Sequence, residues 1–463
     1  MWYKKWGVEY FPHPLIHFSV FFISKLMATF TEKNMGSIIK INARQILDSR
    51  GIPTIEADVY TDRGVMGRAS VPSGSSSGKY EAFELRDADK GRYLGQGVTK
   101  AIYNINKVLN DELKGQYITE QVTIDMLMNQ LDGSENKSNL GANAILAVSM
   151  AVARAGAITT NQPLYRYLGG VNATMLPIPM MNMLTGGINA NNMQDIQDIM
   201  ILPLSSETFT DAYRLGVEVF HHLQQILEKE GYSLQVSQEG GLAPNIESNE
   251  KALDFVVKAI ENAGLKPGED VAIALDVAAS HFFNAQDNTY NVKQNKQTYK
   301  KEEWLNYIIE LINKYPIIAI EDPLSQDDWE TWKTLSDTIS NTILLIGDDL
   351  FVTNTERFIK GIINGIGNGI SIKLNQIGTV TETLNTIQLA SNYGYYPVIS
   401  HRSGETEDTF IAELSVATNA GIIRSGAPCR MERVAKYNQL LRIEENLGGT
   451  STYHGQYFKF RRK

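Results

Sequence analysis

The sequence predicts an α/β protein, with a C-terminal (β/α)8-type barrel preceded by a small α+β domain of antiparallel strands and helices. Three observations carry this. Short β-branched runs recur through the second half, each followed by a helical pattern, as parallel strands buried on both faces require. None of them is followed by a Gly-x-Gly-x-x-Gly turn, which favours a closed barrel over an open doubly wound sheet. The first part instead places strand-like alternation ahead of a block of helical spacing, the order of a separate α+β unit.

Composition bounds the function. The chain has 463 residues, 43% of them hydrophobic and 21% charged, enough to bury sizeable cores in two or three domains. Lys and Arg number 43 against 52 Asp and Glu, a net charge of −9, and the longest basic block is Arg461, Arg462 and Lys463. Nucleic-acid binding as the main function is therefore not expected, and the partners should be small molecules. The single cysteine, Cys429, rules out an intramolecular disulfide framework and fits a reducing compartment. Of the seven histidines only His13 and His17, in the N-terminal extension, form a His-x-x-x-His pair, so any metal in the rest of the chain should be held mainly by oxygen, which points to magnesium, calcium or manganese.

Taken in order, residues 1–36 read as an extension. Lys4 and Lys5 precede an apolar stretch from Leu15 to Ile23 that is too short to span a bilayer and contains His17. It is expected to be a disordered arm, or to lie ahead of a natural start at Met27 or Met35, with targeting as the second reading; no other segment reads as a membrane span. The small domain is assigned to 37–172. It opens with alternating strands from Ile38, through Thr54 to Tyr60 and Gly64 to Val71, with Arg63-Gly64 as a turn. Helical spacing follows over Val98–Leu113, Thr119–Leu131 and the Ala-rich Leu140–Ile158. The barrel is assigned to 173–463, with runs at Val271–Leu275, Ile317–Ile320, Ile343–Ile346, Ile370–Ile372, Pro397–Ile399 and Gly421–Ile423.

What stands at the carboxyl end of each run is informative: Asp276, Glu321 with Asp322, Asp348 with Asp349, Lys373, His401 with Arg402 and Ser403, and Arg424. Separations of 45, 27, 25 and 28 residues between successive members, from Asp276 to His401, each suit one strand-helix unit, and in a barrel these ends meet on one face. Asp276 alone reads first as a cap or turn residue. The set as a whole is what argues against chance.

The residue types suggest chemistry. Three carboxylates favour a divalent cation with open positions, and Arg402 with Ser403 can hold a phosphate. Lys373 either snorkels or, desolvated, has its pKa lowered until it can take a carbon-bound proton beside a carboxylate. Glu239, on the Gly240-Gly241 loop after the strand-like Leu234–Val236, reads as a plain turn or, if protonated, as a general acid on a leaving hydroxyl. Ser73–Gly78 reads as a flexible loop or a lid.

From about Ile38 to Leu447 the chain resembles enolase, the magnesium-dependent hydro-lyase family that dehydrates 2-phosphoglycerate to phosphoenolpyruvate. The likeness rests on Asp48-Ser49-Arg50-Gly51, Asn143–Ser149, Gly347–Asn354, Lys373–Gly378, Ser400–Asp408 and Val434–Gln439. It implies Asp276, Glu321 and Asp348 as ligands of a first Mg2+ and Ser76 as the lid serine reaching a second. Lys373 is the implied base and Glu239 the implied acid; Arg402 and Ser403 would clamp the phosphate, with Gln197 near the carboxylate and His401 among the substrate-binding residues. It also implies an antiparallel start to the barrel, a small phosphorylated carboxylate as substrate, a homodimer or octamer, and a glycolytic role in the cytoplasm with a secondary cell-surface location.

Four positions depart from that pattern. Asn189 stands where the family has histidine, Asp198 where it has glutamate, Gln238 where it has aspartate and Arg424 where it has a second active-site lysine; Asn189, Asp198 and Arg424 remain candidate substrate contacts. The intact ligand set and base lead to the expectation that proton abstraction survives and that acid-assisted loss of hydroxide is the half in doubt. Beside the working enzyme stand two alternatives: a catalytically weakened paralogue kept as a binding or partner subunit, and a related enzyme selecting another carboxylate.

Overall fold

The computed structural model describes residues 36–75, 78–190, 192, 194–294 and 296–461. The extension over 1–36 thus lies outside the described residues except for Gly36, and so does Ser76.

The small domain is built on an antiparallel sheet of β1 (Ile38–Leu47), β2 (Pro53–Thr61) and β3 (Met66–Ser70), in the order β1-β2-β3. The turn before β3 uses Gly64 at φ +73°, a conformation that costs other residues energy. β1 is an edge strand, and its free amides at Ile41 and Ala43 donate to the side chains of Asn110 and Asn106 at 2.8 and 2.7 Å. Those asparagines lie on the helical segment 99–112, which contains a π-turn at Asn104–Leu109.

Helix Ala142–Thr159 crosses β2 and β3 with almost every residue buried. Alanine makes this close approach feasible: a Cβ on Gly67 would stand 2.2 Å from the Ala151 carbonyl oxygen. By length and composition this helix could cross a membrane, yet 83% of it is buried inside the fold. Its uniform apolarity is explained by neighbours on all sides.

Eight strands close the barrel: β4 (Ile178–Thr185), β5 (Asp198–Pro203), β6 (Val271–Asp276), β7 (Ile317–Glu321), β8 (Leu344–Gly347), β9 (Gly369–Ile372), β10 (Tyr396–Ser400) and β11 (Ile422–Arg424). They pair in chain order, and β11 returns beside β4. The α/β class and barrel architecture expected from the sequence are therefore observed. β5 runs antiparallel to both β4 and β6, whereas the other pairs are parallel. This reversal has a chemical consequence: it places the first residue of β5, Asp198, opposite the last residue of β6, Asp276, on the carboxyl face.

One local expectation changes and another holds. Leu234–Val236 forms no strand: its three residues are exposed, and the chain turns back so soon that pairing stops at one antiparallel bridge, Val236 to Leu242, flanked by hydrogen bonds from Ser237 N–H to the Gly241 carbonyl and from Ala243 N–H to the Gln235 carbonyl, both 2.8 Å. Lys373 lies just beyond β9, at the carboxyl end where the sequence places it, and precedes the short helix Leu374–Ile377.

Candidate active site

The carboxyl face brings together most of the residues singled out above. Asp276 and Glu321 end adjacent parallel strands and are paired in register. Asp348 follows β8, Lys373 follows β9, His401 to Ser403 follow β10, and Arg424 ends β11. Ser75, Glu81, Asn189, Gln197 and Glu239 complete the wall of a cavity of ≈ 50 Å³. It adjoins a groove of ≈ 860 Å³ that shares Ser75, Glu81 and Arg402 and opens between the small domain and the barrel.

Arg424 dominates the arrangement. Its Nη2 lies 2.6 Å from Asp198 and 2.8 Å from Asp276, its Nη1 lies 3.0 Å from Glu321, and Glu239 is 3.8 Å away. The planar fork is what permits this, since two nitrogens on one rigid frame can meet separate carboxylates at once. One cation cannot neutralise four buried acids. Burial, with Asp276 and Asp348 nearby, pushes Glu321 up to about 8 despite Arg424. Burial and the Glu239 charge likewise push Asp198 well above the usual carboxylate range, against the pull of Arg424.

Glu239 goes the other way. Burial opposes its ionisation, but the His401 ring at 3.3 Å, Arg424 and Arg433 outweigh it and hold the carboxyl below its ordinary range. Asn182 and Asn189 add hydrogen bonds to its two oxygens at 3.2 and 3.3 Å. The protonated Glu239 expected of a general acid is thus replaced, in the free protein, by an ionised one. His401 is correspondingly neutral: burial pushes it down to about 4. Its Nδ1 accepts from Arg433 Nη1 at 2.7 Å, and because a guanidinium can only donate, the ring proton sits on Nε2, facing Glu239.

Lys373 also differs from expectation. Burial lowers its pKa, as anticipated, but its ion pair with Asp348 more than compensates and holds it above the ordinary lysine value. Arg402 forks onto Glu81, with Nη1 and Nη2 at 3.0 and 3.2 Å from the two carboxylate oxygens, and reaches Asn375 at 3.0 Å. The Ser403 hydroxyl pairs with that of Ser75 at 2.8 Å, so the described part of the Ser73–Gly78 loop touches the segment after β10. Gln197 donates to Asp276 at 2.9 Å. Gln238 is exposed, and its carbonyl accepts from Arg433 at 3.1 Å.

The donor set fits a divalent cation. The acids are oxygen donors, and Glu321 Oε1 is buried with no hydrogen-bond partner among the described residues. The carboxylates whose oxygens converge within 4.8 Å are Asp322, Asp348 and Asp349, sharing only Asp348 with the triad implied by the resemblance. Asp322 is also a brace, accepting from the amides of Asp348 and Asp349 at 2.9 and 2.7 Å.

Several participants escaped the sequence reading. Glu81 looks like a surface acid of a loop, and Arg433, in Arg430-Met431-Glu432-Arg433, looks like part of a solvated helix start, yet it is wholly buried. Only the spacing of Glu81 behind the Gly-rich loop could have drawn attention to it.

Two family models match the chain. One, Enolase, N-terminal domain, covers residues 38–168; the other, Enolase, C-terminal TIM barrel domain, covers residues 173–462.

Proposed function

The chain belongs to the enolase family, and from that premise we propose that it is a hydro-lyase that dehydrates 2-phosphoglycerate to phosphoenolpyruvate with magnesium. The observation that carries this reading is one buried face holding strand-end carboxylates, Lys373, Glu239 and the Arg402-Ser403 pair around a single cavity. Asp276, Glu321 and Asp348 would hold the cation, which when bound supplies Lewis-acid stabilisation of charge growing on a substrate carboxylate. A second cation would be reached by Ser76.

Lys373 Nζ takes the proton from the carbon next to that carboxylate. Burial favours the neutral amine this requires, and Asp348 opposes it, so proton transfer follows opening of the Lys373–Asp348 pair. Arg402 and Ser403 orient the phosphate once they leave Glu81 and Ser75, and the charged Arg424 attracts the carboxylate end. Glu239 must gain a proton before it can give one to the leaving hydroxyl, and Asp198, which favours its protonated form and feels the Glu239 charge, is an acid of the site able to supply it. We place the enzyme in the cytoplasm as a homodimer or octamer in glycolysis, with a small phosphorylated carboxylate as its ligand.

A second reading is favoured by Arg424 filling the centre of the site: a weakened paralogue that serves as a binding or partner subunit. One experiment separates them. Phosphoenolpyruvate formation is followed by ultraviolet absorbance with and without magnesium, alongside exchange of the substrate α-proton in heavy water. Magnesium-dependent turnover supports the enzyme, whereas loss of both turnover and exchange refutes it. Exchange without turnover means that Lys373 works and the acid half does not.

A further inference from the structure

Arg424 contacts the two carboxylates that end β6 and β7 through different nitrogens, at 2.8 Å to Asp276 and 3.0 Å to Glu321. A guanidinium placed between two acids this closely fills the position from which a cation would ligate both of them. The side chain is 3% exposed, and its Nε has no partner among the described residues, so the fork is held in place by its terminal nitrogens alone. Removing one member of such a buried set leaves the other charges uncompensated and open to another cation or to protons. A lysine ammonium, a single point charge, does not grip two separate acids through a rigid fork.

We propose that Arg424 is a built-in competitor for the divalent cation, occupying the place between Asp276 and Glu321, so that a metal ion binds there only when the guanidinium turns away. This rests on the family reading only in supposing that a divalent cation uses these acids. It predicts a protein whose metal affinity is limited by one of its own side chains. By linkage, a bound metal loosens Arg424 to the same degree that Arg424 weakens the metal.

The test is calorimetric titration of the full chain with Mn2+ alone, without substrate, for the parent, Arg424→Lys and Arg424→Gln. The affinity should rise at least about tenfold in Arg424→Lys and further in Arg424→Gln, and the gain should vanish when Asp276→Asn is added. Should Arg424→Gln fail to fold, the charge-retaining Arg424→Lys decides by itself. Equal or weaker binding in the variants overturns the proposal, as does a gain that survives Asp276→Asn. Phosphoenolpyruvate formation by the parent is scored separately. Turnover without any gain in the variants leaves the enzyme reading standing and removes this one; a gain without turnover does the reverse.

Discussion

Replacing Arg433 by lysine tests whether a buried arginine behind the site sets the chemistry in front of it. Its Nη1 donates to His401 Nδ1 at 2.7 Å and to the Arg402 carbonyl at 2.6 Å; its Nη2 donates to the carbonyls of Gln238 and Ser403 at 3.1 and 2.5 Å. One side chain thus ties the loop after β10 to the Gly-Gly loop carrying Glu239. An ammonium has three N–H donors on one atom and can keep at most three of these four contacts. With hydrogen bonds to a charged donor at about 1.5–3 kcal/mol each, losing one should cost about 1.5–3 kcal/mol, and each further loss as much again. That is a sizeable part of a native stability of roughly 5–15 kcal/mol. The assay is urea unfolding, read as a shift in midpoint at constant slope. A second readout, the ¹⁵N shifts of the His401 ring, should show mixed tautomers once Nδ1 loses its obligatory donor. An unchanged midpoint together with an unchanged ring tautomer would refute the argument.

Three further outcomes are expected. Glu239→Gln should lower the turnover number by ~10²–10⁴, the range for a lost acid-base group, while α-proton exchange persists; loss of exchange as well would place Glu239 in the first step. Gly67→Ala puts a Cβ 2.2 Å from the Ala151 carbonyl and 2.5 Å from the Ala155 nitrogen. Overpacking of about 1–3 kcal/mol should lower the thermal midpoint by several degrees, and an unshifted midpoint would contradict the packing described. His401, with its folded pKa at about 4 against an ordinary 6.5, binds its proton more weakly folded than unfolded. Its contribution is therefore present above 6.5 and lost as pH falls toward 4, up to about 3 kcal/mol in all. Comparing His401→Gln with the parent across that window isolates this slope from the raised acids, Glu321 and Asp349, whose effect has the opposite sign; identical slopes would show that the ring is not buried neutral.

Much of the barrel is legible in the sequence because its information is local. Ile317–Ile320 or Pro397–Ile399 announces a buried strand through residue type alone, and separations that each suit one strand-helix unit make Asp276, Glu321, Asp348, Lys373 and His401 mark one end of successive strands. Leu234–Val236 shows where this fails: a short run becomes a strand only if its pairing extends, and here the chain turns back after a single bridge to Leu242. Arg433 and Glu81 escaped because a charge reads as solvated until the fold buries it.

The sequence alone therefore settled the class of fold, the face on which the site lies and the chemical types gathered there. Tertiary structure decided what those groups do to one another. It set Arg424 among four acids, left Glu239 ionised and Lys373 charged, and closed Arg402 onto Glu81. The physical reason is that strand formation depends on neighbours along the chain, whereas the state of a buried charge depends on lost water and on partners hundreds of residues away, as Arg402 and Glu81 are.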